Sequence, residues 1–135
     1  MNTRLHARLR GDFTFLCDCE FYVPDGWFVI LYQAMQQISS RLSETSYDIR
    51  ANVISVRRDA SLSIGIECCD DEVDRIIENT ELKAETACMV CGKLGKRREP
   101  NYMEVLCGKH QNVDGSVITE EQVDELIAAI SGQGN

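Results

Sequence analysis

An α+β fold is what this sequence predicts: two or three amphipathic helices packed on a small antiparallel β-hairpin or sheet, with a zinc knuckle or ribbon. Three observations carry that expectation. Apolar residues recur at three- and four-residue spacing after Trp27, after Val73 and again after Val123, the period of a helix with one buried face. Leu62, Ile64 and Ile66 alternate with Ser63, Gly65 and Glu67, the period of a half-buried antiparallel strand. Finally, Cys88-Met89-Val90-Cys91 and Cys107-Gly108-Lys109-His110 form two pairs of metal-ligand residues with two residues inside each pair.

In chain order, residues 1–10 place Leu5 and Leu9 at helical spacing among Arg4, Arg8 and Arg10, which predicts a short amphipathic turn or a frayed arm whose leucines dock on the core. Phe13, Phe15 and Cys17 alternate with Asp12, Thr14 and Asp18, the pattern of a short strand or extended segment. Pro24-Asp25-Gly26 is turn chemistry. The first long helix follows, with Trp27, Leu31, Met35, Ile38 and Leu42 on one stripe, and is expected to end at residues 43–46. Residues 51–57 and 62–68 read as a β-hairpin. Asp70 or Asp71 is positioned to cap a second helix carrying Val73, Ile76, Ile77, Thr80, Ala84 and Ala87 on its apolar face. Tyr102, Val105 and Leu106 read as a short strand that returns to Cys107. Thr119 with Gln122 is a capping box opening a last helix, whose stripe is Val123, Leu126, Ile127 and Ile130 and whose end falls at Gly132. The expected organisation is an α+β core over 1–87, a zinc knuckle over 88–110 within the same domain, and an acidic C-terminal helix over 111–135.

The paired spacing assigns one structural Zn2+ to Cys88, Cys91, Cys107 and His110, because two tight turns can bring these four soft or borderline donors onto one tetrahedral ion. Three thiolates and one imidazole fill every position of such a site and leave none for a reacting water. The other cysteines, Cys17, Cys19, Cys68 and Cys69, either complete a second site or are simply buried thiols.

The formal charge is −8, with 22 acidic against 14 basic side chains, and three metal-bound thiolates with one dication take it to −9. Such a balance disfavours DNA as a partner of the whole surface and suits a basic protein. With 44% hydrophobic residues in 135, a core is affordable, yet no apolar run is long enough to span a bilayer. An odd cysteine count without an apolar leader points to a reducing cytoplasm. Catalytic constellations are missing. With His110 committed to metal, His6 is the one histidine left, and the Glu67, Asp70, Asp71, Glu72 cluster reads best as the acidic start of a helix. The sequence is therefore not expected to be an enzyme.

Cys19, Asp25-Gly26-Trp27 with the helix after it, the hairpin over 53–67, Ile76-Ile77, Glu81, and the ligands from Cys88 to His110 stand in an order that resembles a family of small, largely uncharacterised zinc-ribbon proteins common in bacteriophages and prophages. The match covers roughly residues 17–110. The resemblance implies zinc at the same four ligands and a phage protein acting in the cytoplasm of a bacterial host.

Two functions follow as expectations. The first is a non-catalytic, zinc-stabilised interaction protein that binds a protein partner, in concrete form an inhibitor of a host nucleic-acid-guided defence complex such as an anti-CRISPR, through the acids Asp114, Glu120, Glu121, Asp124 and Glu125. The second is a nucleic-acid-binding accessory factor in phage replication, packaging or transcription, with Lys93, Lys96, Arg97, Arg98 and Lys109 as its contacts.

Overall fold

Helix α2 (Phe28–Ser43) runs through the middle of the molecule, and the rest is arranged around it in a computed structural model described over residues 2–44, 48–98, 104–110 and 120–131. It is preceded by α1 (Thr3–Asp12) and strand β1 (Glu20–Tyr22) and followed by β2 (Ile49–Val56), β3 (Leu62–Cys68) and α3 (Asp71–Ala84). Two-residue strands β4 (Lys96–Arg97) and β5 (Val105–Leu106) and helix α4 (Glu120–Ser131) complete the chain. This is the α+β class that the two periodicities predict.

Phe28, Leu31, Met35 and Ile38 of α2 are fully buried, as is Trp27 in the single 3-10 turn before it. On either side, α3 contributes Val73, Ile76, Ile77, Thr80 and Ala84, and α4 contributes Val123, Leu126 and Ile130. Both helices pack directly on α2, so the apolar stripe of the acidic C-terminal helix is satisfied within the chain. Burial of this kind, at about 1.5–3 kcal/mol for each large side chain, dominates the stability of the helical layer. A polar clamp adds direction. The Arg41 guanidinium at the end of α2 donates to both carboxylate oxygens of Asp70, from Nε at 2.8 Å and Nη2 at 3.1 Å, and holds that carboxyl below the usual range. Asp70 occupies the position before α3 in extended conformation, so it starts the helix while anchoring it to α2.

The three-stranded sheet has the order β1-β2-β3. The hairpin pairs antiparallel, Ile54 opposite Ile64 and Val56 opposite Leu62, with a bulge between Ala51 and Val53. Its buried side carries Ile54, Leu62, Ile64 and Ile66, as alternation predicts. Glu81 of α3 accepts a hydrogen bond from the Ile64 backbone N–H at 3.0 Å and so covers part of the β3 edge.

Two local expectations are corrected. Residues 13–17 are not a strand: Thr14–Leu16 forms a 3-10 turn, in which Phe13 and Leu16 are buried. The alternation was produced by two aromatics facing the core across a tight turn, a pattern that period-two reasoning cannot tell from a strand. The strand lies later, at Glu20–Tyr22, and pairs parallel with β2. Three residues are too few to show a period. Residues 1–10 fall mostly within a regular helix whose Leu5 and Leu9 are fully buried. Its arginines are all engaged within the chain: Arg4 with Glu120 and Asp124, Arg8 with Asp12, and Arg10 with the Cys19 carbonyl and the Phe21 ring. The end of α2 at Ser43 falls within the expected span. Tyr102, Thr119 and Gly132 lie outside the described residues.

His6 of α1 lies 5.2 Å from the Phe21 ring, and its Nε2 is buried without a hydrogen-bond partner among the described residues. Burial, assisted by the positive charge of Arg10, lowers its pKa from the ordinary 6.5, against a weaker opposing pull from Asp25. A depressed histidine leaves the fold most stable where it is neutral in both states, and stability declines as pH falls below the unfolded value because the unfolded chain binds the proton first. Wild-type protein is therefore expected to lose stability relative to His6→Gln between pH 7.5 and 5.5 in urea unfolding monitored by circular dichroism. An unchanged difference between the two across that range would remove His6 as the cause.

Candidate metal centre

The chain reaches the centre through a series of backbone bonds that two tight turns require. After α3 ends, the Cys88 N–H bonds to the Lys93 carbonyl and the Gly92 N–H returns to the Cys88 carbonyl, both at 2.8 Å. Gly92 sits at φ 79°, the left-handed conformation that glycine adopts at least cost. The Val90 N–H points at the Cys88 sulfur at 3.4 Å. On the other side, the His110 N–H bonds to the Cys107 carbonyl at 3.1 Å within the single turn Gly108–His110. The two turns are held together by β4 and β5, with Lys96 opposite Leu106 and Arg97 opposite Val105, and by the Met89 N–H on the Val105 carbonyl at 2.8 Å.

These connections bring Cys88, Cys91, Cys107 and His110 together, their ligand atoms all within 4.8 Å of one another. Cys91 Sγ is 3.7 Å from Cys107 Sγ, while His110 Nδ1 is 3.7 Å from Cys88 Sγ and 3.3 Å from Cys107 Sγ. A tetrahedron with metal–sulfur bonds of about 2.3 Å has sulfur–sulfur edges of about 3.8 Å and sulfur–nitrogen edges of about 3.5 Å. The donor set therefore has the size and chemistry of one tetrahedral metal site. Burial pushes the Cys91 thiol up to about 11. At Cys107 burial also opposes ionisation, yet hydrogen bonds from the His110 backbone and the neighbouring thiols outweigh it and hold this thiol below its ordinary value.

The residues that support the centre come from the far side of the sequence. The Gly26 N–H donates to the Met89 carbonyl at 2.9 Å, and the Trp27 indole N–H donates to the Ala87 carbonyl at 2.9 Å. A Cβ on Gly26 would lie 2.3 Å from the Cys88 carbonyl oxygen and 2.5 Å from the Met89 carbonyl carbon. Asp25-Gly26-Trp27 is thus the seat of the first ligand turn, and only a glycine permits that approach. Composition and spacing supply no signal for this contact. Trp27 reads from periodicity as an ordinary core anchor, and its indole N–H adds a role that periodicity does not contain.

The other expected site residues are distributed as follows. Lys93 and Lys109 line a cavity of about 660 Å³ beside the cluster, opposite Glu125 and Leu126 of α4. Lys96 and Arg97 are exposed on β4. Arg98 is a correction: it is half-buried, and its Nε donates to the Leu106 carbonyl at 3.0 Å, which commits the guanidinium to bracing the second ligand turn. Of the acids, Glu120 and Asp124 pair with Arg4 at 2.7 and 2.8 Å, Glu121 and Glu125 are exposed, and Asp114 lies outside the described residues. Among the described residues no second group of three or more donors converges. Cys19 is a buried thiol whose pKa burial raises to about 11, Cys68 is half-buried, and Cys17 and Cys69 are exposed and free. No helix among the described residues is long and apolar enough to cross a membrane. No protein-family model matches the chain, and neither a curated protein nor a solved structure matches it.

Gly26→Ala is expected to destabilise the fold by at least about 1–3 kcal/mol, the usual range for a methyl forced into packed surroundings, and to weaken metal retention along with it. Urea unfolding together with competition against a chromogenic chelator reads both quantities. Wild-type values for this variant in both measurements would refute the seating of the ligand turn on Gly26.

Proposed function

We propose that this protein is a non-catalytic binding module of phage origin, held in shape by one structural Zn2+, which acts on a macromolecular partner in the bacterial cytoplasm. Zinc is favoured by the donor set itself, since three thiolates and one imidazole at tetrahedral spacing suit that ion among the common divalent metals. A structural role is supported by the complete set of four protein donors, which leaves no position for substrate or an activated water. The order of ligands and of Asp25-Gly26-Trp27, which resembles that of phage zinc-ribbon proteins, supports the origin, and seven cysteines that form no disulfide suit a reducing compartment. Protein purified without chelator is expected to contain one zinc per chain by elemental analysis, and Cys107→Ser to have lost it together with much of its folded signal. A full metal content in that variant would exclude the assigned ligands.

The observation that carries the choice of partner is the charge distribution over the helical layer. Exposed acids stand on α3 at Asp71, Asp74 and Glu78, just beyond it at Glu85, and on α4 at Glu120, Glu121, Asp124 and Glu125. Between these helices, α2 shows an uncharged polar strip, Gln33, Gln36, Gln37 and Ser40, which line one shallow depression. A centre without charges costs less to desolvate than the rest of this surface, and an acidic rim draws in a basic protein. A basic groove on a host complex that handles nucleic acid fits that chemistry, as does inhibition of such a complex. Because Glu120 and Asp124 are already paired with Arg4, Glu121 and Glu125 are the acids of α4 to test. With a partner captured from bacterial lysate, Glu121→Lys with Glu125→Lys should slow association about tenfold at low salt while leaving dissociation nearly unchanged. An association rate that neither this reversal nor added salt alters would count against the acidic layer.

A second reading has its own observation. Lys93, Lys96, Arg97 and Lys109 are exposed around the metal centre, a local cation cluster on an acidic chain that suits contact with nucleic acid.

A further inference from the structure

The three-stranded sheet has two unlike faces. One packs Phe21, Ile54, Leu62, Ile64 and Ile66 into the core. The other stays open to solvent and belongs to neither the metal centre nor the helical layer. Register sets its composition row by row. Glu20 lies opposite Val53 and Val53 opposite Gly65; in the next row Tyr22 lies opposite Ser55 and Ser55 opposite Ser63. Tyr22 is 60% exposed, far from the usual state of a large aromatic in a strand, and its neighbours across the sheet are two small hydroxyl side chains. A flat step beside an exposed ring results.

Cations follow on one side of that step. Arg57, two residues beyond Ser55, directs its Nη2 toward Ser63 Oγ at 3.5 Å, and Arg58 is next in the hairpin turn. Carboxylates lie on the other side: the Tyr22 hydroxyl donates to Glu20 at 2.7 Å, and Arg50 faces Glu67 at the far end of the hairpin. The turn also faces the knuckle. Hydrogen bonds from Ser61 hold Asp59 below the usual carboxylate range, and the charge of Arg97 on β4 adds to the effect.

We propose that this open face binds single-stranded nucleic acid, with one base stacked on Tyr22 and the flanking phosphates held by Arg57 and Arg58. Stacking on an exposed ring needs no particular base, and arginine forks match phosphate oxygens. The carboxylate of Glu20 keeps the backbone to the arginine side. A duplex fits poorly, because its bases are already stacked and cannot reach the ring. The inference rests on the nucleic-acid reading above and moves its principal contact from the knuckle to the sheet. An acidic helical layer on the same molecule then suits a partner that is itself a nucleoprotein.

The test is fluorescence anisotropy on the full chain as purified, with labelled oligouridylate and oligothymidylate of about 12 nucleotides and a duplex of equal length, over a series of salt concentrations beginning near 50 mM. Single strands are expected to bind and the duplex to bind more weakly; the two single-strand arms separate RNA from DNA. Tyr22→Ala should weaken binding about 5- to 150-fold and Tyr22→Phe should retain most of it. Arg57→Ala with Arg58→Ala should reduce the salt slope by about 1.4. Lys96→Ala with Arg97→Ala reports on the knuckle separately. Loss of binding in that variant, with Tyr22→Ala unaffected, would place the contact on the knuckle and overturn the sheet proposal while sparing the broader reading. Absence of single-strand binding near 50 mM salt would overturn both. Circular dichroism and metal content establish that each variant is folded, and because Tyr22 and the two arginines are exposed, failure of one variant to fold leaves the other to decide.

Discussion

The contact on which most of the molecule depends is the seating of Gly26 and Trp27 against the backbone of Ala87, Cys88 and Met89. It joins the start of the central helix to the first ligand turn by two hydrogen bonds of 2.9 Å and an approach that excludes any side chain at Gly26. Gly92, whose own Cβ would lie 2.6 Å from the Gly26 carbonyl oxygen, closes the contact from the other side. The donor cluster and the core are therefore not independent. Strands of two residues, such as β4 and β5, cannot hold two turns together by their own pairing. An ion at the four donors would supply that free energy, and the Gly26-Trp27 contact would pass it to α2, around which α3 and α4 pack.

The net charge of −8 conceals an uneven distribution. Much of the basic charge is used inside the fold: Arg4 ties α1 to α4, Arg41 ties α2 to α3, and Arg98 braces the second ligand turn. Exposed pairs such as those of Arg4 contribute little stability, whereas Arg41 meets a carboxylate that is only 5% exposed and fixes where α3 begins. Other exposed cations stand at the knuckle, the hairpin turn, Arg50 of β2 and Arg75 and Lys83 of α3, while exposed acids are most numerous on α3 and α4.

Free thiols divide in the same way between structure and chemistry. Four donors can be served by one ion, while Cys19 is inert through burial. Adjacent cysteines such as Cys68 and Cys69 point to opposite sides of an extended chain, and the alternation of half-buried and exposed at these two positions is the consequence.

Helical and strand periods near Leu31, Ile64, Val73 and Val123, and the ligand spacing from Cys88 to His110, were legible in the sequence because each is written in residues that are neighbours along the chain. So was the burial of Leu5 and Leu9. Residues 13–17 imitate a strand because a tight turn with two inward aromatics produces alternation, and the three-residue strand at 20–22 is too short to display any period. What only tertiary structure decided is which distant group each polar atom meets: Gly26 with Met89, Trp27 with Ala87, Arg4 with Glu120 and Asp124, Glu81 with the Ile64 amide. A backbone carbonyl or a carboxylate carries no mark of its partner in the sequence, because burial selects that partner only after the helices and the sheet have packed.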